Sequence, residues 1–499
     1  MNTFKKTLAL LSALTIGAVA LTACGDKEGD SGSSKEASGT TASGTSGAST
    51  EAPLADTTPK EEDVKAKKGG EKFTVVSWDA NDLPYMVAAW KDGWDMIEDQ
   101  FKGDKKINPT DYLKEKYTNV DVVSLDVGSA KAVEGYEARF AAGDDTDVFV
   151  CENAFVLKYM DDTRALPMSD VGLSTANFPN RYEYTDQLGL SAEGVLKGLT
   201  WQAAPGGFAY RADLAETYLA VKTPEEMQAK VKDWDTFKAT AKEVYDKSGA
   251  NKTSLVASLG NLWEAYSVTR SKSWTENGKL QISDNLETFI DYAKEMRSNG
   301  YVSDTKQWDG AWTAIGQTDN TMGYFVSTWG MGAFLVDASG GPKTAKQPQE
   351  GKTFRKWKLC QGPNNFFWGG SWLAVNKDTD NGVEAQQFLY AICGDEDVML
   401  KYANAKGEFM NNSVVMDKAE LPEENIARQN LGGQDYFKVL NAAAKDISLV
   451  AVSPDDQTIK DKFIDAIDKY VAGSLTSKEA VIESFKTEVK TAVPTIDTN

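Results

Sequence analysis

The sequence predicts an α/β fold in two lobes, with a mainly parallel sheet in the first. Three observations lead there. Past a low-complexity start, about 430 residues remain, and single hydrophobic cores stop growing near ~250–300. Short β-rich runs alternate with helix-patterned runs through the first part of that body. Helix start and stop signals then recur at intervals to the end of the chain.

The chain opens "MNTFKKTLALLSALTIGAVALTACGDKEGD". Lys5 and Lys6 precede an apolar run from Leu8 to Leu21. That run is about 14 residues, short of the roughly 20 that span a bilayer, so residues 1–23 read as a removable export signal. Leu21-Thr22-Ala23-Cys24 resembles the motif of bacterial lipoprotein signals. The resemblance implies cleavage before Cys24 and diacylglycerol on its sulfur. An ordinary secretory signal with a chance cysteine is the alternative. Several acyl chains, each buried CH₂ contributing ~0.8 kcal/mol, hold such a residue firmly in a membrane. Residues 24–70 are rich in Gly, Ser, Thr, Ala and charge and read as a disordered tether. At roughly 5–6 Å × √n it reaches ~35–40 Å, enough to hold a body clear of a membrane surface. Such tethers suit the outer face of the cytoplasmic membrane of a single-membrane, Gram-positive cell.

Charge and rare residues narrow the function. The net charge is −20, and losing Lys5 and Lys6 with the leader takes it to −22. That disfavours nucleic acid and anionic lipid as direct partners. The chain has no histidine, which removes Ser-His-Asp and Cys-His catalysis and His-type zinc sites. Beyond Cys24 only Cys151, Cys360 and Cys393 remain, an odd number that builds no disulfide framework. Cys360 and Cys393 could pair, and three buried thiols are the other reading.

In the body, "EKFTVVSW" (71–78), "NVDVVSLDV" (119–127) and "TDVFVCEN" (146–153) read as strands. Helical segments lie between 79 and 117, over "AKAVEGYEARFAAGDD" with Gly143 as its stop, and near 154–160. Later helices carry N-terminal signals: Thr223-Pro224-Glu225-Glu226, Asp233, Asp284, Ser453-Pro454, and a capping box from Thr476 to Glu479. "NKDTDNG" (376–382) has the alternating oxygens of a calcium loop, but its glycine falls one place late and position 12 is Gln387. It reads as a surface turn.

Several blocks, in order, resemble the extracellular solute-binding proteins of bacterial ABC importers (family 1, the carbohydrate group that includes maltose-binding protein). They are "AAGDDTDVFVCENAFVLKYMDDTRALPMSD", "GVLKGLTWQAAPGGFAYRADLAETYL" followed by "DWDTFKATAKEV", "TMGYFVSTWG", "CQGPNNFFWGGSWLAVNKDTDNGVEAQQFL" and "YVAGSLTSKEAVIESFKTEV". The resemblance covers nearly all of 71–499. It departs at Thr146, where the family has proline, and over 81–117, which is longer than the usual first helix. It implies a two-lobed periplasmic-binding-protein-like fold (class II), whose discontinuous lobes are joined by a hinge. By analogy the N-terminal lobe is 71–203 plus 359–405 and the C-terminal lobe 204–358 plus 406–499.

Ligand then belongs in the interlobe cleft, where strand ends converge. A flat ring covers the C–H face of a sugar while polar side chains take its hydroxyls. Covering ~50–80 Å² at ~25 cal/mol/Å² contributes about 1–2 kcal/mol per platform. "NNFFWGGSW" (364–372) and "STWG" (327–330) fit that design. The candidate platforms are Trp368, Trp329, Trp372, Trp201 and Trp78, with Trp308, Trp312 and Trp263 behind them. Gly369 would let ligand approach the backbone. Asp79, Asn81, Glu152, Asn153 and Gln202 are the candidates for binding hydroxyls. The expected function is a lipid-anchored, monomeric binding protein that captures a sugar, an oligosaccharide rather than a monosaccharide, and delivers it to a membrane permease without cofactor or catalysis. A glycan-degrading enzyme and a polysaccharide-binding adhesin are the alternatives; a binder of peptides or polyamines is a third.

Overall fold

Val148-Phe149-Val150-Cys151 carries an apolar residue at every position, which suits a strand covered on both faces. A computed structural model describes residues 57–78, 83–94, 108–342, 352–448 and 452–499. Cys24, Asp79 and Asn81 lie outside the described residues.

The described strands are β1 (Phe73–Ser77), β2 (Val120–Ser124), β3 (Val148–Glu152), β4 (Gly198–Thr200), β5 (Pro205–Arg211), β6 (Thr275–Glu276), β7 (Lys279–Leu280), β8 (Gly323–Ser327), β9 (Trp357–Cys360), β10 (Phe366–Phe367) and β11 (Ser371–Val375). One sheet has the order β2-β1-β3-β11-β4. β1 runs parallel to β2 and β3, and β11 lies antiparallel between β3 and β4. Val76, Phe149, Cys151, Trp372 and Ala374 pack on one face with Tyr136 and Tyr159. Phe73, Val75, Val150, Leu373 and Val375 pack on the other, with helices Leu83–Asp92 and Gly382–Cys393. The three expected strands of this sheet therefore form, each trimmed at its ends.

The second sheet is built around β5, which pairs antiparallel with β8, β9 and β10. The expected lobe boundary at 359 cuts through β9, whose whole length pairs with β5. The chain leaves the second sheet only after Phe367 and enters the first at Ser371. β6 and β7 form a separate hairpin.

Most helix signals work as read. Thr223 and Glu226 close a capping box over Pro224–Lys230, and Asp233 caps Trp234–Lys247. Gly143 ends Ser129–Ala142 at φ 70°. Two expectations shift. Ser477, not Thr476, caps Lys478–Ala492, accepting from Ala480 N. Among the described residues before Tyr117 there are two helices, Leu83–Asp92 and Pro109–Lys116, the second capped by Asn108. Cys151, Cys360 and Cys393 are buried free thiols, and burial pushes each thiol pKa up.

Candidate ligand-binding cleft

In a parallel sheet the C-terminal strand ends share one edge, and that edge is where ligands bind in open α/β folds. Here β3 ends at Glu152 and Asn153. The antiparallel β11 starts at the same edge, with Ser371 opposite Glu152 and Asn153 N donating to Gly370 O at 3.1 Å. The Gly369-Gly370 pair thus carries the chain from the second sheet to the mouth of the first.

Both glycines have positive φ, 81° and 109°. A Cβ on Gly369 would lie 2.7 Å from Trp329 Nε1. That indole fills the space over the glycine and donates to Trp368 O at 2.7 Å. The expectation of a ligand lying against Gly369 is corrected: a tryptophan occupies that position.

Facing this edge are helix Leu259–Tyr266 and helix Asp456–Val471. Between them and the strand ends lies a cavity of about 90 Å³. Glu152, Asn153 and Ala154 form its first wall, and Phe367 with Trp368 its crossing side. Trp263, Glu264, Arg270 and Trp274 form a second wall, and Asp456, Gln457 and Lys460 a third. A larger hollow, about 430 Å³, is bounded by Lys65, Lys67, Asp170, Lys377 and Asp378 but has no aromatic side chain.

The cavity is charged. Lys460 Nζ meets Glu264 Oε1 at 2.9 Å, with the two side chains only 15% and 8% exposed. Burial alone would lower the Lys460 pKa, but Glu264 beside it raises it. Gln307 Nε2 also donates to Glu264, at 3.1 Å. Arg270 Nη2 meets Asp456 Oδ2 at 3.0 Å, and its guanidinium sits 4.7 Å from the Trp274 ring. Glu152 has neither arrangement. One oxygen accepts from Ala154 N at 2.7 Å. Burial pushes its pKa up to about 7, only partly offset by that N–H and by the Lys460 charge. Asn153 Oδ1 and Arg270 Nη1 are buried with no partner among the described residues. Such orphans are rare in native interiors and point to a missing partner.

Outside the cavity the rings continue. Trp368 lies 5.0 Å from Trp329 and 5.6 Å from Trp308, centre to centre. Trp308 stacks on Trp329 at 6.1 Å and 21° and is 56% exposed.

The expected site residues divide. Glu152, Asn153 and Trp368 line the cavity, and Trp329 supports Trp368 from behind. Trp372 and Trp201 do not reach it: they are 2% and 4% exposed, both within hydrophobic cores. Trp312 is likewise sealed. Trp78 is half-buried against the first sheet's core and is not part of the lining. Gln202 is drawn away, Nε2 donating to Glu408 at 2.9 Å, and bridges to Met410 on the crossing segment. Sequence reasoning missed Glu264, Arg270, Asp456, Gln457 and Lys460. The Ser453-Pro454 signal marked the start of the helix bearing the last three, but a helix start does not say what it faces. Elsewhere, Asp145, Asp147 and Asp380 bring carboxylate oxygens within 4.8 Å of one another. Thr74 N, Thr379 Oγ1 and Asn381 Nδ2 donate to Asp147, Thr74 Oγ1 to Asp145 and Asn381 Nδ2 to Asp380, so each carboxylate has a donor from the protein.

The cavity thus lies at the strand ends of an open α/β sheet, where such folds bind their ligands. The profile of the family described as "Bacterial extracellular solute-binding protein" matches residues 110–428. The chain belongs to that family. No curated protein matches the chain. Among solved structures, this solute-binding protein is similar to the galacto-N-biose-/lacto-N-biose I-binding protein of an ABC transporter from Bifidobacterium longum, in complex with lacto-N-biose. The TM-score is 0.63 at 15% identity, covering 87% of this chain and 100% of that one. It is also similar to the ABC transporter associated binding protein from B. animalis subsp. lactis in complex with β-1,6-galactobiose (TM-score 0.58, 18% identity, 85% and 98% covered). A third is the sugar-binding protein MalE from Xanthomonas citri (TM-score 0.59, 15% identity, 83% and 96% covered). At such identities the likeness concerns the fold, which is the two-lobed binding-protein architecture expected from the sequence.

Proposed function

We propose that this solute-binding protein captures a carbohydrate between its two sheets and hands it to the permease of an ABC importer. One observation carries the reading. Asn153 Oδ1 on one wall and Arg270 Nη1 on the opposite wall are both buried and unpartnered, in a cavity flanked by Trp368. An acceptor, a donor and an apolar face match a sugar's hydroxyls and C–H surface. The sugar-bound relatives support the same ligand class. The lobes close on the ligand, whose preference for the closed form, about 1.4 kcal/mol per tenfold, sets how far closure shifts. Cys24 carries the lipid that holds the protein on the outer face of the membrane; the tether expected over 24–70 stops short of its end, because Val64 is buried and Lys65 N and Ala66 N donate to Asp170 O on the body.

A thermal-shift screen against a sugar panel tests this, because a ligand that binds only the folded state raises Tm by mass action. The expected result is a shift with at least one sugar, reduced in Trp368→Ala by a loss of about 1–2 kcal/mol of binding. No shift with any sugar, or equal shifts in the variant, defeats the assignment. Sugar recovered unchanged after prolonged incubation is the outcome expected of a binder, and shortened products that of an enzyme.

A further inference from the structure

The five charged groups of the cavity do not balance. Glu264 has Lys460 at 2.9 Å, and Asp456 has Arg270 at 3.0 Å. Both cations are therefore spoken for, and Glu152 is the carboxylate left over. Its nearest donor is the Ala154 backbone N–H, which engages one oxygen. Immediately beside it, Asn153 presents a buried acceptor with nothing to accept from. Two adjacent buried acceptors, one of them a carboxylate with no ion-pair partner of its own, ask for a donor-rich cation. Trp368 nearby offers a ring face that also favours positive charge.

We propose that the inner end of the cleft holds a protonated amine, its N–H groups directed at Glu152 and Asn153, so that the ligand is an amino sugar. The sugar half of this inference rests on the carbohydrate reading above; the amine half rests on Glu152 and Asn153 alone. The Arg270 Nη1 donor on the facing wall takes a hydroxyl or ring oxygen of the same sugar. The cavity, about 90 Å³, accommodates the amine and its neighbouring carbons, and the rest of the sugar extends toward Trp368.

The groups facing Glu152 across the cleft are Glu264 from helix Leu259–Tyr266 and Lys460 from helix Asp456–Val471. Without ligand, burial raises Glu152 to about 7. A bound ammonium favours the carboxylate, so binding and protonation of Glu152 compete. Affinity for an amine-bearing ligand must fall as pH drops from 7 to 5, a range in which the amine itself stays charged. A neutral sugar makes no such demand.

The test is calorimetric titration of the full chain with glucosamine and galactosamine, with their N-acetyl forms, and with glucose and galactose. Putrescine serves as an amine that is not a sugar. At least one amino sugar should bind about tenfold more tightly than its N-acetyl and neutral counterparts. The margin should shrink toward pH 5 and disappear in Glu152→Gln, whose fold is checked by its melting curve. Equal or tighter binding of the neutral forms overturns the amine and leaves the carbohydrate reading standing. A margin that survives in Glu152→Gln also overturns it. Glu152-dependent binding of putrescine with no sugar bound keeps the amine and removes the sugar. Binding of none of these probes overturns the proposal.

Discussion

Trp368 and Trp372 stand four residues apart on one segment and have opposite fates. Trp372 enters β11, opposite Cys151 and Thr200, where both faces of the sheet are covered. It is 2% exposed, and its Nε1 reaches Thr185 O at 3.3 Å. Trp368 sits one step before the glycine pair, between the sheets, and borders the cavity. The same side chain is a core element in one place and a cleft wall in the other. What decides is whether the backbone beneath it is paired on both sides, and the Gly369-Gly370 turn is the dividing line.

The sharpest way to break that contrast is Trp372→Ala. Removing a sealed indole should cost about 3–5 kcal/mol, read as a lower urea midpoint. A loss under about 1 kcal/mol would place Trp372 with the cleft rings. Next is Glu152→Gln. A carboxyl raised to about 7 in the folded state holds a proton that the unfolded chain releases near the ordinary glutamate value of 4.5. Stability is therefore greatest below the unfolded pKa, falls as pH rises between those values, and stays low above 7. Glu152→Gln should remove that slope and stabilise the free protein at pH 7.5, on the order of 2 kcal/mol, while weakening binding. A variant that is less stable at pH 7.5 would show that Glu152 belongs with the paired charges rather than apart from them.

The first sheet was legible because its strands are local runs: β1 and β3 are apolar enough to be buried on both faces, and β2 is a β-branched run at the sheet edge. Glu152 and Asn153 were legible for the same reason: they end one of those runs. The tryptophans were not sorted correctly, because nothing local to β11 says that both of its faces are covered. The return from the second sheet was placed too early for a related reason. β9 pairs with β5, across about 150 residues of chain, and nothing local to Trp357–Cys360 names its neighbour. The second and third walls were invisible because Glu264 sits on the buried helix Leu259–Tyr266, Arg270 on the extended chain after it and Lys460 on Asp456–Val471, and no local pattern says what each of them faces. Their partners, separated by up to 196 residues, exist only once the helices meet.

A smaller test lies on the dividing line itself. Gly369→Ala forces a side chain into φ 81° and against the Trp329 indole. The expected cost is about 1–2 kcal/mol, with weaker ligand binding because Trp368 loses the indole that donates to its carbonyl. A thermal melt unchanged in this variant would mean that the turn relaxes freely, and that Trp329 does not fix the position of Trp368.

The smallest effect is expected at Trp308. It is the large aromatic with the opposite balance to Trp372: 56% exposed, at φ 74° in the left-handed region that bulky residues avoid. Its ring meets Trp312 at 5.2 Å, Trp368 at 5.6 Å, Phe334 at 5.9 Å and Trp329 at 6.1 Å. In Trp308→Gly, relief of about 1–2 kcal/mol of backbone strain opposes the lost ring contacts and glycine's greater unfolded-state entropy. These terms nearly cancel, so stability should change by no more than about 0.5 kcal/mol, within the range of ordinary surface substitutions. A loss approaching that of Trp372→Ala would show that exposure is a poor guide to which rings hold the protein together. Stability that holds while sugar binding weakens would instead extend the cleft wall outward from Trp368 to Trp308, making the strained backbone the means by which a ring face is kept turned toward solvent.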